Sequence, residues 1–267
     1  MRKGLVAAVF PLCGDGDNDG VPVYREDDYE NLGRIWGGDY SVVHKIRNKE
    51  TKEICALKTV KISSHARREI GALKRLDHEN VVKMIAKSGD APSGPFHIVL
   101  EHMPLDLLRA FKTRKRRAKI RKNKRKILRQ VLEGLKHIHS RGIEHGDIYP
   151  RNILIDPETM AVKICDFGGC AHNPSERNND LLCFLSTMVY LYNGDFNIRE
   201  YNKLLDVLTE KETPTSKNTM DFLKKAGDIT PAKYLLDHPF LSDDSELDPC
   251  TVGREKEMVR REHRAWF

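Results

Sequence analysis

His145-Gly146-Asp147-Ile148-Tyr149-Pro150-Arg151-Asn152-Ile153-Leu154, followed by Asp166-Phe167-Gly168, is the stretch on which the reading of this chain turns. It places a carboxylate, an amide five positions later and a second carboxylate before a glycine in one short span. Phosphoryl transfer from a nucleotide uses such a set. One acid orients a hydroxyl, while an amide oxygen and a carboxylate hold magnesium.

Working outward, the sequence before this stretch changes character near residue 104. Tyr40 to Ile46 and Ile54 to Val60 alternate as strands around a polar turn. Ser63 or Ser64 can cap a helix whose apolar positions Ala66, Ile70, Leu73 and Leu76 recur at helical spacing. Val81 to Met84 and His97 to Leu100 read as two further strands. After Pro104 the pattern is helical, and Ile127, Val131, Leu132, Leu135 and Ile138 form a strong stripe ending at Gly142. Helices are also expected from about Asp180 to Tyr192 and from Pro231 to Leu236.

Lys58 lies in Ala56-Leu57-Lys58 on a strand, and Glu69 follows eleven residues later on the helix. Together these segments resemble the protein kinases, from Leu32 to Leu241, and look most like the cyclin-dependent group. Arg68-Glu69-Ile70 and the run from Leu73 to Lys83 are similar to that group's helix and next strand. Ala232-Lys233-Tyr234-Leu235-Leu236-Asp237-His238-Pro239-Phe240-Leu241 is similar to its closing helix. The resemblance implies an α+β, bilobal protein-kinase-like fold, with a small antiparallel β lobe over residues 27–103 and a larger helical lobe over 104–242. A flexible lead-in (1–26) and a tail (243–267) flank them.

The resemblance also implies roles. The chain would be a serine/threonine protein kinase using ATP and Mg2+ on a protein substrate, with cell-cycle control as the nearest setting. Asp147 would orient the acceptor hydroxyl, and Lys58, steadied by Glu69, would hold the α- and β-phosphates. Asn152 and Asp166 would chelate magnesium. Ile35, Trp36, Gly37, Gly38, Asp39, Tyr40, Ser41 and Val42 would cover the phosphates. Val43, Ala56 and Leu154 would sandwich the adenine, with Glu101 and Met103 at the hinge. Leu73, Met84, His145 and Phe167 match an internal stack, anchored from below by Asp180.

Departures from the pattern qualify this reading. Trp36, Gly38 and Ser41 stand where three spaced glycines are expected, so phosphate contact should be looser, or made by Gly37-Gly38 in a different turn. Gly146 replaces the arginine that pairs with a phosphorylated activation loop. Only thirteen residues separate Asp166 from Asp180, and no Ala-Pro-Glu occurs. Tyr149 replaces a lysine, and Arg151 could supply that cation. The link from Lys58 to Glu69 is shorter than in the cyclin-dependent group, which puts a cyclin-like activator in doubt. His-Gly-Asp with a short following segment also resembles small-molecule and atypical phosphotransferases, and a binding-only pseudokinase stays open.

Composition sets the surroundings. Of 267 residues 39% are apolar and 32% charged, as in a globular protein, and no run of about eighteen apolar residues could span a membrane. Six scattered cysteines lack metal-site spacing and suit an intracellular, nuclear or cytoplasmic protein. Asp15 to Glu26 satisfies a calcium-loop formula, but Pro22, Pro11 and Gly14 spoil its frame, so an acidic lead-in is the better reading. From Arg109 to Lys126 twelve residues are Lys or Arg and none is acidic. Such a run implies an acidic partner, RNA or an import receptor.

Overall fold

A computed structural model describes residues 20–89, 94–172, 179–195, 198–211, 214–227 and 231–242. Asp15 to Asp19 of the calcium formula and the tail 243–267 lie outside the described residues. The chain divides into two compact units: residues 1–63 with 84–101, and residues 64–83 with 102–267. The division is interleaved: the segment from Ser64 to Lys83 groups with the helical unit, across the expected boundary at 103/104.

The first unit is a five-stranded antiparallel sheet in the order β1-β2-β3-β5-β4. Its strands are β1 (Tyr29–Gly37), β2 (Ser41–Asn48), β3 (Ile54–Val60), β4 (Met84–Lys87) and β5 (Phe96–Glu101). The period of two separates its faces. Ile46, Cys55, Leu57, Ala86 and Val99 form an apolar cluster on one face, joined by Tyr24, Tyr29 and Ile85. The opposite face carries Val43, Ala56 and Lys58, because Val43 pairs with Lys58 and Lys58 with Ile98 across the ladders. The expected strand at Val81–Met84 is displaced to Met84–Lys87. Val81 and Val82 instead meet Ile164, and Val82 N–H donates to its carbonyl at 2.9 Å. The expected flexible lead-in is ordered at its end: Val23 bridges Lys87, and Tyr24 N–H donates to Lys87 O at 2.7 Å.

The second unit begins with α1 (Ser63–Leu73) and continues through β6 (Leu105–Asp106), α2 (Leu107–Ala110), α3 (Arg114–Lys122) and α4 (Lys124–Ser140). Short strands β7 (Ile143–Glu144), β8 (Ile153–Ile155), β9 (Val162–Ile164) and β10 (Ala171–His172) follow. The chain then forms α5 (Asp180–Asn193), α6 (Ile198–Lys211), α7 (Pro214–Gly227), α8 (Ala232–Leu235) and α9 (Pro239–Ser242). The α4 stripe is as the spacing requires: Ile127, Leu128, Val131, Leu132, Leu135 and Ile138 are fully buried. Burying each such side chain contributes roughly 1.5–3 kcal/mol. Most of α5 is also buried, and Gly194, at φ 84°, ends it by donating to Tyr190 O at 2.8 Å.

Candidate active site

Two ladders clamp the decisive stretch. At one end β7 pairs with β10 (Glu144 opposite Ala171), and at the other β8 pairs with β9 (Ile153 opposite Ile164). The loop 145–152 therefore runs beside the loop 165–170. Cys165 N–H donates to Asn152 O at 3.0 Å and ties them together.

His145 is the wedge between them. Its Nδ1 accepts from Asp147 N–H at 3.1 Å, so Nε2 carries the proton and donates to Cys165 O at 3.0 Å. That tautomer is neutral, and burial pushes the ring's pKa down, against the pull of Asp180, the Cys165 carbonyl, Asp166 and Asp147. The ring meets Phe167 edge-on at 4.7 Å. Beneath, the buried Asp180 accepts from His145 N–H (2.9 Å), Gly146 N–H (2.7 Å) and His139 Nε2 (2.9 Å). Burial alone would raise that carboxyl; the donors outweigh it and hold it below the ordinary range.

Asp147 is consequently aimed and doubly restrained. Arg151 Nη2 spans its carboxylate at 2.7 and 2.8 Å, and Asn152 Nδ2 donates to Oδ2 (2.6 Å) and to the Asp147 carbonyl (2.9 Å). With its nitrogen engaged there, Asn152 has Oδ1 left as the atom suited to a hard cation. Asp166 has φ 72°, a conformation that costs a non-glycine residue energy and marks functional positions. A Cβ on Gly168 would lie 3.5 Å from Asp166 Oδ1 and 3.9 Å from Glu69 Oε2, so glycine there leaves room for both carboxylates. Glu69 itself is buried. Among the described residues no three His, Cys, Asp or Glu side chains form a metal cage. An amide and a carboxylate fit magnesium, which keeps waters and takes oxygens from phosphate.

The remaining predicted positions fall as follows. Leu154 is on β8, Met103 follows β5, and Glu101 ends β5. Leu73 is buried at the end of α1, while Met84 opens β4 in the first unit. Ile35, Trp36 and Gly37 close β1, and Ser41, Val42 and Val43 open β2. The turn between them is tight: Gly38 N–H donates to Ser41 O at 2.9 Å, leaving Asp39 and Tyr40 at the tip. Lys61 braces that tip through Nζ to Asp39 O (3.2 Å) and N–H to Tyr40 O (3.0 Å). Sequence reasoning missed one side chain here, Arg34, and did not foresee how the Trp36 ring packs. A Cβ on Gly38 would lie 2.8 Å from the Trp36 ring, and one on Gly37 would strike the Arg34 guanidinium. Arg34 Nε also donates to Trp36 O at 3.4 Å. Gly37 and Gly38 thus accommodate an indole and a cation. The bulges at Arg34 in the β1–β2 register create this packing, and no sequence period announces it.

Residues 29–208 match the protein kinase domain, well over half of the 267. This chain belongs to the protein kinase family. It is 35% identical over 178 residues to one protein of Arabidopsis thaliana and 37% identical over 180 to another, each named a probable serine/threonine-protein kinase. The matches cover 63% and 62% of this chain but 24% and 31% of those proteins, so the chain spans a quarter to a third of their length.

Proposed function

We propose that this kinase chain transfers the γ-phosphate of ATP to a serine or threonine hydroxyl of a protein. The observation that carries the reading is the Asp147 carboxylate, oriented by Asn152 and Arg151 and set on the neutral His145 wedge. When bound, magnesium and ATP bring the electrophilic phosphorus with its charge partly neutralised. Asp147 would accept the hydroxyl proton as the oxygen attacks. Arg151, a cation on that carboxylate, takes the place of the lysine that Tyr149 displaces. Its guanidinium also lies 5.3 Å from the Tyr149 ring, which limits its swing. Lys58 would anchor the phosphates, and Asn152 and Asp166 would hold the metal.

The serine/threonine preference is supported by the two relatives' names, and a cyclin-dependent-type or cell-division setting by the flanking segments alone. An intracellular site of action suits Cys55, Cys165, Cys170 and Cys183, none of which forms a disulfide.

Radiolabel transfer from ATP to a protein panel, against choline-like and sugar acceptors, tests the reading. Label on protein with wild type, and a loss of about 100-fold or more with Asp147→Asn, is expected. Label on a small acceptor alone would move the chain to the small-molecule phosphotransferases. No transfer, with no thermal shift by ATP and magnesium, would make it a binding module.

A further inference from the structure

α5 is apolar along most of its length and mostly buried. Three of its side chains nevertheless bring a polar atom to the loop of Asp147: Asp180, Cys183 and Thr187. Their spacing, three residues and then four, sets them on one side of the helix over about 10 Å. Each takes its own groups of the loop. Asp180 accepts from the N–H groups of His145 and Gly146. Cys183 Sγ is hydrogen-bonded to the Ile148 backbone and to the Tyr149 side chain. Thr187 Oγ1 donates to Ile148 O at 3.0 Å, and both of these residues are fully buried. The loop is thus pinned to one helix on both sides of Asp147.

Thr187 does not make the bond that a helix offers by default. A hydroxyl inside a helix ordinarily turns back to the carbonyl four residues earlier. Ser186 does so to Leu182 O at 3.5 Å, and Thr209 to Leu205 O at 2.9 Å. Thr187 crosses to the loop instead. The peptide it meets is held at both ends: its oxygen by Thr187, and its Tyr149 N–H by donation to Asp147 O at 2.9 Å. Asn152 Nδ2 donates to the same Asp147 carbonyl. A buried carbonyl that loses its donor is costly where it stands, so the peptide would turn toward another. Turning it breaks the Tyr149 bond and shifts the backbone from which the Asp147 carboxylate projects.

We infer that Thr187 is a positioning residue for phosphoryl transfer, fixing through the Ile148–Tyr149 peptide the direction in which Asp147 presents its carboxylate. The inference rests on Asp147 acting on the acceptor hydroxyl as proposed above. Misplacing a catalytic group by about 1 Å can cost on the order of 100-fold in rate, and one lost tether of several should cost less. Because Thr187 acts through Asp147, its effect should vanish once that carboxylate is disabled.

Steady-state transfer of labelled phosphate to a protein acceptor is the test. Thr187→Val keeps the branched shape and loses the hydroxyl; kcat should fall about tenfold, with KM for ATP within about twofold of wild type. Thr187→Ser restores the hydroxyl and should return most of kcat. Added to Asp147→Asn, Thr187→Val should change kcat by less than about twofold, since residues that act as a unit are not additive. Thr187→Ala guards against misfolding of the valine variant and should show the same split between kcat and KM. An unchanged kcat in the valine and alanine variants, no recovery with serine, or the full tenfold loss on top of Asp147→Asn would overturn the inference and leave Asp147 its role. A wild-type rate in Asp147→Asn would overturn both.

Discussion

Gly146 has φ 79°, and the nearest atom to an added Cβ is Gly169 O at 3.6 Å, so space is open while the backbone is not. Gly146→Ala should therefore cost about 1–2 kcal/mol in urea unfolding, with Gly146→Asn milder, because asparagine tolerates this region. Steric repacking would instead make asparagine the worse of the two. At the hairpin tip, Trp36→Gly should tighten ATP binding severalfold in a thermal-shift titration, since the indole covers the backbone at Gly38 that phosphate would approach. Unchanged or weaker binding would mean the indole does not stand in the way. That Asp147 and Asn152 come together was legible from their spacing, because few chemistries want an acid and an amide five residues apart. Arg34 was not, because the β1 bulges that bring its guanidinium over Gly37 leave no mark in composition.

Among elements, α4 and β3 were readable from period alone, since each buries one face. β4 began three residues later than expected. Val81 and Val82 have strand-like side chains, but the nearer partner is Ile164, in the second unit. The helices α6 and α7 went unassigned, although Leu204, Leu208, Phe222 and Leu223 carry a readable helical spacing and are buried. Where α4 passes β9, a Cβ on Gly134 would come within 2.9 Å of Asn80 O and of Ile164 Cδ1. Asn80 is itself held there by its Nδ2 donating to Val162 O at 3.0 Å. Gly134→Ala gains about 1 kcal/mol of helix propensity but meets backbone, so net destabilisation is expected, read as a lower urea midpoint. A higher midpoint would show that the contact relaxes.

Histidine burial sets an acid limit on the fold. Burial lowers His145, His97 and His137; for His137 the neighbouring His78 and Arg141 lower it further. Each is neutral when folded and protonates near pH 6.5 when unfolded, so the unfolded chain takes up more protons below that pH. Stability should decline as pH falls from about 6.5 toward the lowered folded values. Asp180 contributes its loss only further down, below the ordinary carboxylate range. Melting temperatures between pH 7.5 and 5 should show the decline, and His137→Gln should shallow it. A flat profile would mean that these rings are not kept neutral.

For the molecule as a whole, the thiols give a comparative readout. Burial raises Cys55 and Cys170 to about 11 and pushes Cys183 up, whereas Cys165 is half-buried. At pH 8 a thiol of pKa about 11 is roughly one part in a thousand thiolate, the form that reacts. Timed iodoacetamide labelling with mass spectrometry should find Cys165 modified before the other three, and earlier labelling of Cys55 would indicate that the sheet opens. The bridge from Val23 to Lys87 bears on the same sheet. β4 is its last strand, and the short crossing segment occupies hydrogen-bonding groups that would otherwise face outward. A shortened chain begun at Tyr29 would keep the residues argued to act on phosphate yet present a bare ladder to its neighbours, inviting strand-to-strand association between copies. The contacts of Pro22, Val23 and Tyr24 with Lys87 would then be what separates a covered sheet edge from a sticky one.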